Sequence, residues 1–406
     1  MKTYKGLWEQ LITEENFRKA MQRSQIRKRG QRQVRKFNEN AEKNLEAIRQ
    51  SVIRGEFHTS EYRQRKIYEP KERIIYKLPY APDRIVQHAI MNVLEPILVK
   101  KMIRHSYACI KDRGPLEATK QCSAYVRRWR FCLKCDIRKF YPSIDQEILS
   151  GMFRRFIRDE KFLALVDDVI FSYPGGKNCP IGNYMSQWCG NFYLTAMDNY
   201  ILHQLKPGGY IRYCDDFLLF DDDKKKLHEC RRKLGEWLRE TLKLEFSKAE
   251  VFDVKQGVDF CGYRMFGKYV LIRKSTALRL KRRYGRMWSA VKSGKYDLKK
   301  IAGQASAANG LMKHACSHNL RKAIRHDEMW EFIGEKLKEE EQQYENAGTG
   351  ERDGAAGGRR QQRAADPDRG GELRSGGHAE GVLHPGEHDD DPAGGAGIPR
   401  SDPGEH

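Results

Sequence analysis

The stretch Tyr210–Phe220, YIRYCDDFLLF, constrains this chain more than any other. Apolar residues lead up to Cys214-Asp215-Asp216 and away from it, which predicts two strands meeting at an acidic tip. Adjacent carboxylates between apolar strands are costly unless a cation neutralises them. A divalent ion does this, and magnesium takes one or two carboxylates together with phosphate oxygens. An ordinary Asp-rich turn is the bland alternative. It suits Asp221, Asp222 and Asp223, which lead into a helical pattern at Lys224.

A second acidic candidate, Asp136, ends the apolar run RFCLKCDI and is followed by Phe140, Tyr141 and Pro142. One Asp at a strand end and two at a hairpin tip place three carboxylates around one point. That is the ligand set of a two-metal phosphoryl-transfer site.

The 406 residues allow two or three domains. The net charge of +21 favours a polyanionic partner. It is unevenly placed: residues 347–406 carry 7 Arg against 12 Asp or Glu, leaving +26 on the rest. A body this basic is expected to bind phosphate backbones with strong salt dependence. The ten cysteines are scattered. Cys132 and Cys135 lack a second pair at zinc-finger spacing, and their odd offset in a strand points them to opposite faces. They read as reduced core thiols of a cytoplasmic protein. His314, Cys316 and His318 lie close in sequence but lack a partner set for zinc. Met1–Gln10 is polar, and no apolar run approaches membrane-spanning length, so neither a secretory leader nor a membrane span is expected.

Residues 1–66 read as a basic helical extension, with one helix over 37–53 that presents Leu45, Ile48, Val52 and Ile53 on a face and stops at Gly55. From Ile67 to Phe266 strand-like runs (RIIYKL, RFCLKCDI, YIRYCDDFLLF) alternate with helical ones, which predicts an α+β or α/β body. Residues 275–341 are helical and basic. The end of the chain, rich in Gly, Asp, Pro and Arg and without aromatics, cannot bury enough surface to fold and is expected to be disordered from 344 to 406.

The motifs from Ile67 to Phe266 resemble, in order, those of reverse transcriptases. KERIIYKLPYAPDRIVQHAIMNVLEPIL is similar to a fingers block, and SYACIKDRG (106–114) to the block after it. KCDIRKFYPSID (134–145) resembles motif A, CPIGNYMSQWCGNFYL (179–194) motif B and YCDD (213–216) motif C. LKLEFSKAEV resembles motif D, and VDFCGYRMF (258–266) the primer grip. Where most such enzymes have Pro-Gln-Gly in motif B, this chain has Pro180-Ile181-Gly182 followed by Ser186-Gln187. That form, with GLMKHACSHNL at 310–320, resembles the reverse transcriptases of diversity-generating retroelements.

The resemblance implies an RNA-directed DNA polymerase of α+β class with a right-hand fold. It implies a ferredoxin-like palm with helices on one side (134–266, part of the fingers interleaved), helical fingers (67–133) and a short helical thumb (267–343). Two Mg2+ ions are implied on Asp136, Asp215, Asp216 and the Ile137 carbonyl, Asp216 being the supporting ligand. One ion would activate the primer 3′-hydroxyl and the other steady the departing pyrophosphate. Tyr141 matches the steric gate against a ribose 2′-hydroxyl. Lys66 and Arg73 match the triphosphate cations, and Lys248 matches a proton donor to pyrophosphate. Ile181 would line the nucleotide site, and Phe260, Cys261, Gly262 and Tyr263 would place the primer end. Arg113, Gln187, Arg279, Lys281, Arg282, Arg283 and Arg286 would touch nucleic acid. The implied partners are a template-repeat RNA, its cDNA and primer, deoxynucleoside triphosphates and a small basic pentameric accessory protein. The implied product is cDNA with frequent errors opposite adenine, used to diversify a target gene. A group II intron-like or defence-associated enzyme is the nearest alternative. A non-catalytic RNA-binding protein is another, but a pure binder gains nothing from carboxylates beside phosphates.

Overall fold

The computed structural model describes residues 2–68 and 72–350, so the tail beyond 350 expected to be disordered lies outside the described residues. Four helices come first: α1 (Leu7–Leu11), α2 (Glu14–Ser24), α3 (Arg32–Asn38) and α4 (Ala41–Ile53). Thr13 caps α2 by accepting the Asn16 N–H, one of the donors a helix start leaves unpaired. The single helix expected over 37–53 is two. Asn40 leaves the helical path at φ −138°, and the Asn44 amide caps the end of α3 by donating to the Phe37 carbonyl. Leu45, Ile48 and Val52 are buried as the spacing predicts, and Gly55 at φ 71° ends the helix. These helices are not an appended arm, because Leu7, Leu11, Phe17, Ala20 and Val34 are all part of the main core.

Strands β1 (Arg63–Ile67) and β2 (Arg73–Lys77) form an antiparallel hairpin. The domain boundary expected after residue 66 therefore cuts through β1. Its sequence, RQRKI, has no apolar alternation because both of its faces are largely exposed.

Next come α5 (Ile85–Lys101) and α6 (Pro115–Arg128), then β3 (Phe131–Ile137). Five helices follow: α7 (Phe140–Ser143), α8 (Gln146–Arg154), α9 (Glu160–Phe171), α10 (Tyr184–Tyr193) and α11 (Thr195–Tyr200). The chain then returns as β4 (Gly209–Tyr213) and β5 (Asp216–Asp221), crosses through α12 (Lys224–Trp237) and ends the sheet with β6 (Phe246–Asp253). The sheet is antiparallel with order β4-β5-β3-β6. Helices between β3 and β4 and between β5 and β6 make this the ferredoxin-like, split β-α-β arrangement.

Leu133, Cys135, Phe217 and Leu219 join the main core on one face of this sheet, with Leu227 and Leu234 of α12. Cys132, Leu218, Phe220 and Ile211 face a second core, with Ala118, Cys122 and Val126 of α6. Cys132 and Cys135 thus do point to opposite faces, both buried as free thiols. Helices were expected on one side only, but α6 also covers part of the second face. It buries its apolar stripe at 118, 122 and 126 there.

The second core continues into a three-stranded sheet of β7 (Val258–Phe260), β8 (Tyr263–Met265) and β9 (Val270–Ile272). Four helices end the described chain: α13 (Lys274–Lys292), α14 (Leu298–Met312), α15 (His318–Ile324) and α16 (His326–Gly350), the last running past the boundary expected at 343. Leu280, Tyr284 and Met287 form the buried stripe of α13. His326 ties α13 to α16, with Nδ1 bonded to the Tyr284 hydroxyl at 2.6 Å and Nε2 accepting from the Trp330 indole at 2.9 Å.

Candidate active site

Asp136 and Asp216 are direct partners across β3 and β5. Antiparallel partners have Cα atoms only about 4.5–5.5 Å apart and side chains on the same face. Tyr213 pairs with Asp216, so the β4–β5 connection is the two-residue turn Cys214-Asp215. Cys214 has φ 54° and Asp215 a negative φ, the type II′ pattern that normally calls for glycine at the first position.

Arg212 holds this strained turn. Its guanidinium is fully buried and donates to the Cys214 carbonyl at 3.1 Å. The same group binds both Asp198 oxygens, at 2.8 and 2.7 Å, and Asn191 Oδ1 at 3.0 Å. The Tyr210 hydroxyl also donates to Asp198, at 2.6 Å. The outer edge of β4 is covered by residues 105–107, with Arg212 N bonded to His105 O and Tyr107 N to Arg212 O, each at 3.0 Å. Beside Asp136, β6 carries a bulge at Ser247, where the pairing shifts between Asp136–Lys248 and Ile137–Phe246. The bulge turns the Ser247 hydroxyl onto the Asp136 carboxylate and carbonyl. Bulges commonly re-aim side chains next to active sites.

Asp216 is electrostatically loaded. Burial pushes its carboxyl up to about 6, Lys134 and Arg273 pull it down, and the charges of Asp136 and Asp215 push it up. Lys134 Nζ lies 3.5 Å from Asp216 Oδ2 and also donates to the Asp259 carbonyl, while Arg273 pairs with the Asp259 carboxylate. Asp216 Oδ1 is buried and has no hydrogen-bond partner among the described residues. An orphaned carboxylate oxygen beside two further carboxylates fits a hard cation with oxygen ligands, as magnesium is. Among the described residues no three His, Cys, Asp or Glu side chains already form a metal-ligating group, and none gathers around His314, Cys316 and His318. The site would take its remaining ligands from substrate phosphates.

Tyr141 sits in α7 against Gly190 of α10, where an added Cβ would lie 3.1 Å from its ring. Burial pushes its hydroxyl well above the ordinary range, and Cys214 and Asp215 are among the groups it faces. Pro180, Ile181 and Gly182 run against β2: Tyr76 N–H donates to Ile181 O at 2.8 Å. A Cβ on Gly182, at φ 121°, would fall 2.2 Å from the Tyr76 carbonyl oxygen, so only glycine fits. Ile181 itself is half-buried. Phe260 pairs with Tyr263, leaving Cys261 and Gly262 as a turn with positive φ at both residues. A Cβ on Gly262 would meet nothing within 4 Å, so backbone conformation rather than crowding requires this glycine. Burial pushes the Cys261 thiol up, with Asp216 and Cys214 next among the causes, which places this turn beside the carboxylates.

Other expected residues are held differently. Lys248 is the cross-strand partner of Asp136, but its ammonium pairs with Glu250 at 2.9 Å. Lys66 is exposed on β1 and pairs with Glu72 at 3.4 Å. Arg73 pairs with Ile67 through the backbone, and its side chain lies outside the described residues. Arg113 turns inward to donate to the Ile103 carbonyl at 2.8 Å. Gln187 is exposed and accepts from Cys109 Sγ. On α13, Arg279, Lys281, Arg282 and Arg286 are exposed and Arg283 is half-buried. Asp221, Asp222 and Asp223 are structural: Asp223 caps α12, Asp221 accepts from Gly208 N and Asp222 from Arg130 N.

Sequence reading did not single out Lys134, Ser247, Arg273 or the Arg212–Asp198 pair. Lys134 was discoverable, because it lies two residues before Asp136 and so on the same face of the strand. Arg212 carried a signal as the one charge within YIRY.

A ferredoxin-like sheet that brings Asp136, Asp216 and, in the adjoining turn, Asp215 to one end has the carboxylate arrangement that phosphoryl transfer by a nucleotidyltransferase requires. Residues 66–265 match the family model described as "Reverse transcriptase (RNA-dependent DNA polymerase)". The chain therefore carries a reverse transcriptase domain, and its activity is RNA-directed DNA polymerisation. It is similar to "Protein YkfC" of Escherichia coli (strain K12), 24% identical over 277 residues, covering 55% of this chain and 72% of that protein. No helix among the described residues is long and apolar enough to cross a membrane.

Proposed function

We propose that the domain works as a right-hand polymerase that copies a template-repeat RNA into error-prone cDNA for diversification of a target gene. The observation that carries the polymerase reading is the Asp136–Asp216 pair facing across β3 and β5, with Asp215 in the adjoining turn. In this reading the four-stranded sheet is the palm, α1–α6 with the β1–β2 hairpin form the fingers, and α13–α16 the thumb. Asp136 and Asp215, with the Ile137 carbonyl and Asp216 in support, would hold two Mg2+ ions. Bound there, magnesium supplies charge neutralisation of the triphosphate and a more acidic primer hydroxyl.

The remaining residues position and select. Tyr141 closes the sugar pocket against a 2′-hydroxyl. Lys66 and Arg73 grip the triphosphate when the β1–β2 hairpin bears on it, and the Gly182 contact with Tyr76 couples that hairpin to the nucleotide site. Lys248 leaves Glu250 to protonate pyrophosphate. The Cys261-Gly262 turn sets the primer end. Template-repeat RNA, primer and deoxynucleoside triphosphates are the proposed partners, with a small basic pentameric accessory protein, in the cytoplasm. The purified chain is expected to extend a DNA primer on an RNA template with magnesium and deoxynucleotides. Absence of product under those conditions overturns the reading.

Ile181 supports the mutagenic assignment. A glutamine there offers hydrogen bonds near the base pair, whereas isoleucine offers only apolar surface. Loss of a polar anchor relaxes discrimination, and about 1.4 kcal/mol is a tenfold rise in error. Ile181→Gln is expected to lower misincorporation opposite adenine by about tenfold, read by sequencing extension products. An unchanged adenine error rate would remove Ile181 from the explanation.

The exposed cations of α13 lie outside its buried stripe, the placement expected for tracking a duplex backbone. Neutralising Arg279, Arg282 and Arg286 together should reduce the slope of log K against log salt for RNA–primer binding by about two to three. A slope equal to the wild type's would assign these residues to a solvated face.

A further inference from the structure

One concavity outside the carboxylate site has a strongly basic lining. It has a volume of about 430 Å³ and is lined by Arg138, Lys139, Ser143, Lys177, Arg239, Lys243 and Glu245. Five cations face one carboxylate. Glu245 is already engaged with Arg138 at 3.6 Å, and Lys243 also donates to the Glu240 carbonyl at 3.1 Å. No carboxylate lies within ion-pair distance of Lys139, Lys177 or Arg239 among the described residues. Like charges gathered this closely repel unless an anion joins them. They come from four separate places: the end of β3, the loop before α10, the turn after α12 and the lead into β6.

The pocket adjoins the chemistry through the backbone. Arg138 lies two residues beyond Asp136, and its N–H donates to the Glu245 carbonyl at 2.8 Å. Ser143 ends α7, the helix that carries Tyr141. Lys177 lies two residues before Cys179, whose N–H donates to the Tyr141 carbonyl at 2.9 Å.

The lining also excludes ligands. No aromatic ring is present, so nothing offers a stacking platform for a base, which single-stranded nucleic acid sites use. A duplex backbone is followed by a stripe of cations such as that on α13, whereas these converge on one hollow. We propose that this pocket binds a condensed phosphate, as inorganic pyrophosphate leaving the site or as the phosphate tail of an arriving nucleotide. This assignment rests on the polymerase reading for its role, though not for the binding itself.

The test is calorimetric titration of the full chain with inorganic pyrophosphate, without magnesium or nucleic acid. Wild type is expected to bind, and K177E/R239E to bind about tenfold or more weakly, since removing one charge-assisted hydrogen bond has an effect of that order. Both positions are exposed, and a thermal melt of the variant matching wild type confirms its fold. In primer extension, a matching rise in the pyrophosphate inhibition constant assigns the pocket to product. A matching rise in KM for deoxynucleotide assigns it to substrate, and either supports a condensed-phosphate site. Equal pyrophosphate affinity in the two proteins, or a variant that loses only RNA affinity, overturns the proposal. Failure of wild type to extend any primer would strike the polymerase reading while leaving the calorimetric result intact.

Discussion

Asp136→Asn is expected to lower cDNA synthesis on an RNA template by roughly a thousandfold or more. Charge stabilisation at such a centre is several kcal/mol, and each ~1.4 kcal/mol is a factor of ten in rate. Asparagine keeps the shape of the side chain and can still bond the Ser247 hydroxyl that bridges from the β6 bulge. The loss is therefore one of charge and not of packing. RNA affinity should hold, because phosphate binding gains nothing from a carboxylate. The melting temperature should hold or rise, because Asp136 is among the charges that push the Asp216 carboxyl up. Single-turnover extension with saturating nucleotide separates these effects. A rate within tenfold of wild type would remove Asp136 from the chemistry, and with it the assignment of the site.

The largest effect on stability is expected at Arg212, outside the chemistry. Arg212→Met leaves the Asp198 carboxylate fully buried with, among the described residues, the Tyr210 hydroxyl alone as hydrogen-bond donor. Breaking a buried pair in this way costs about 3–5 kcal/mol. Removing both charges, as Arg212→Met with Asp198→Leu, should recover much of that, since a buried pair replaced by apolar groups is often near neutral. The two variants part in activity. Neither has a donor for the Cys214 carbonyl, so the turn that carries Asp215 is loosened in both. Denaturant titration should show the double variant recovering, while extension stays low. Recovery of both together would reduce Arg212 to a stability role, and a single-variant cost below about 1 kcal/mol would contradict the buried-pair account.

Much of this site was legible in the amino-acid sequence. The tip at Asp215 and Asp216 is a two-residue turn between apolar strands, as YIRYCDDFLLF predicts. Asp136 reaches the same end of the sheet, because its strand is mostly apolar before that residue and pairs with β5 in antiparallel register. Periodicity failed where tertiary contact supplied what local pattern lacked. RQRKI pairs as a strand although four of its five residues are polar, because the hairpin it forms is braced by the Tyr76–Ile181 hydrogen bond and not by a core of its own. The helix expected over 37–53 breaks at Asn40, where side-chain amides compete for backbone groups. The N-terminal helices read as a basic extension, yet they bury Leu7, Leu11 and Phe17, because α5 is apolar nearly all round and needs cover on more than one side.

By itself the amino-acid sequence determined the strands that carry the acidic residues, the three carboxylates and the order of motifs that names the chemistry. Local pattern suffices for these, because alternation along a strand and the cost of adjacent charges are short-range effects. Tertiary structure alone decided what surrounds them. Lys134 and Arg273 converge on Asp216, Ser247 turns onto Asp136, and Arg212 finds Asp198 through the fold. A buried charge must have a partner, but which one depends on chain segments brought together by packing, and no spacing along the sequence encodes that.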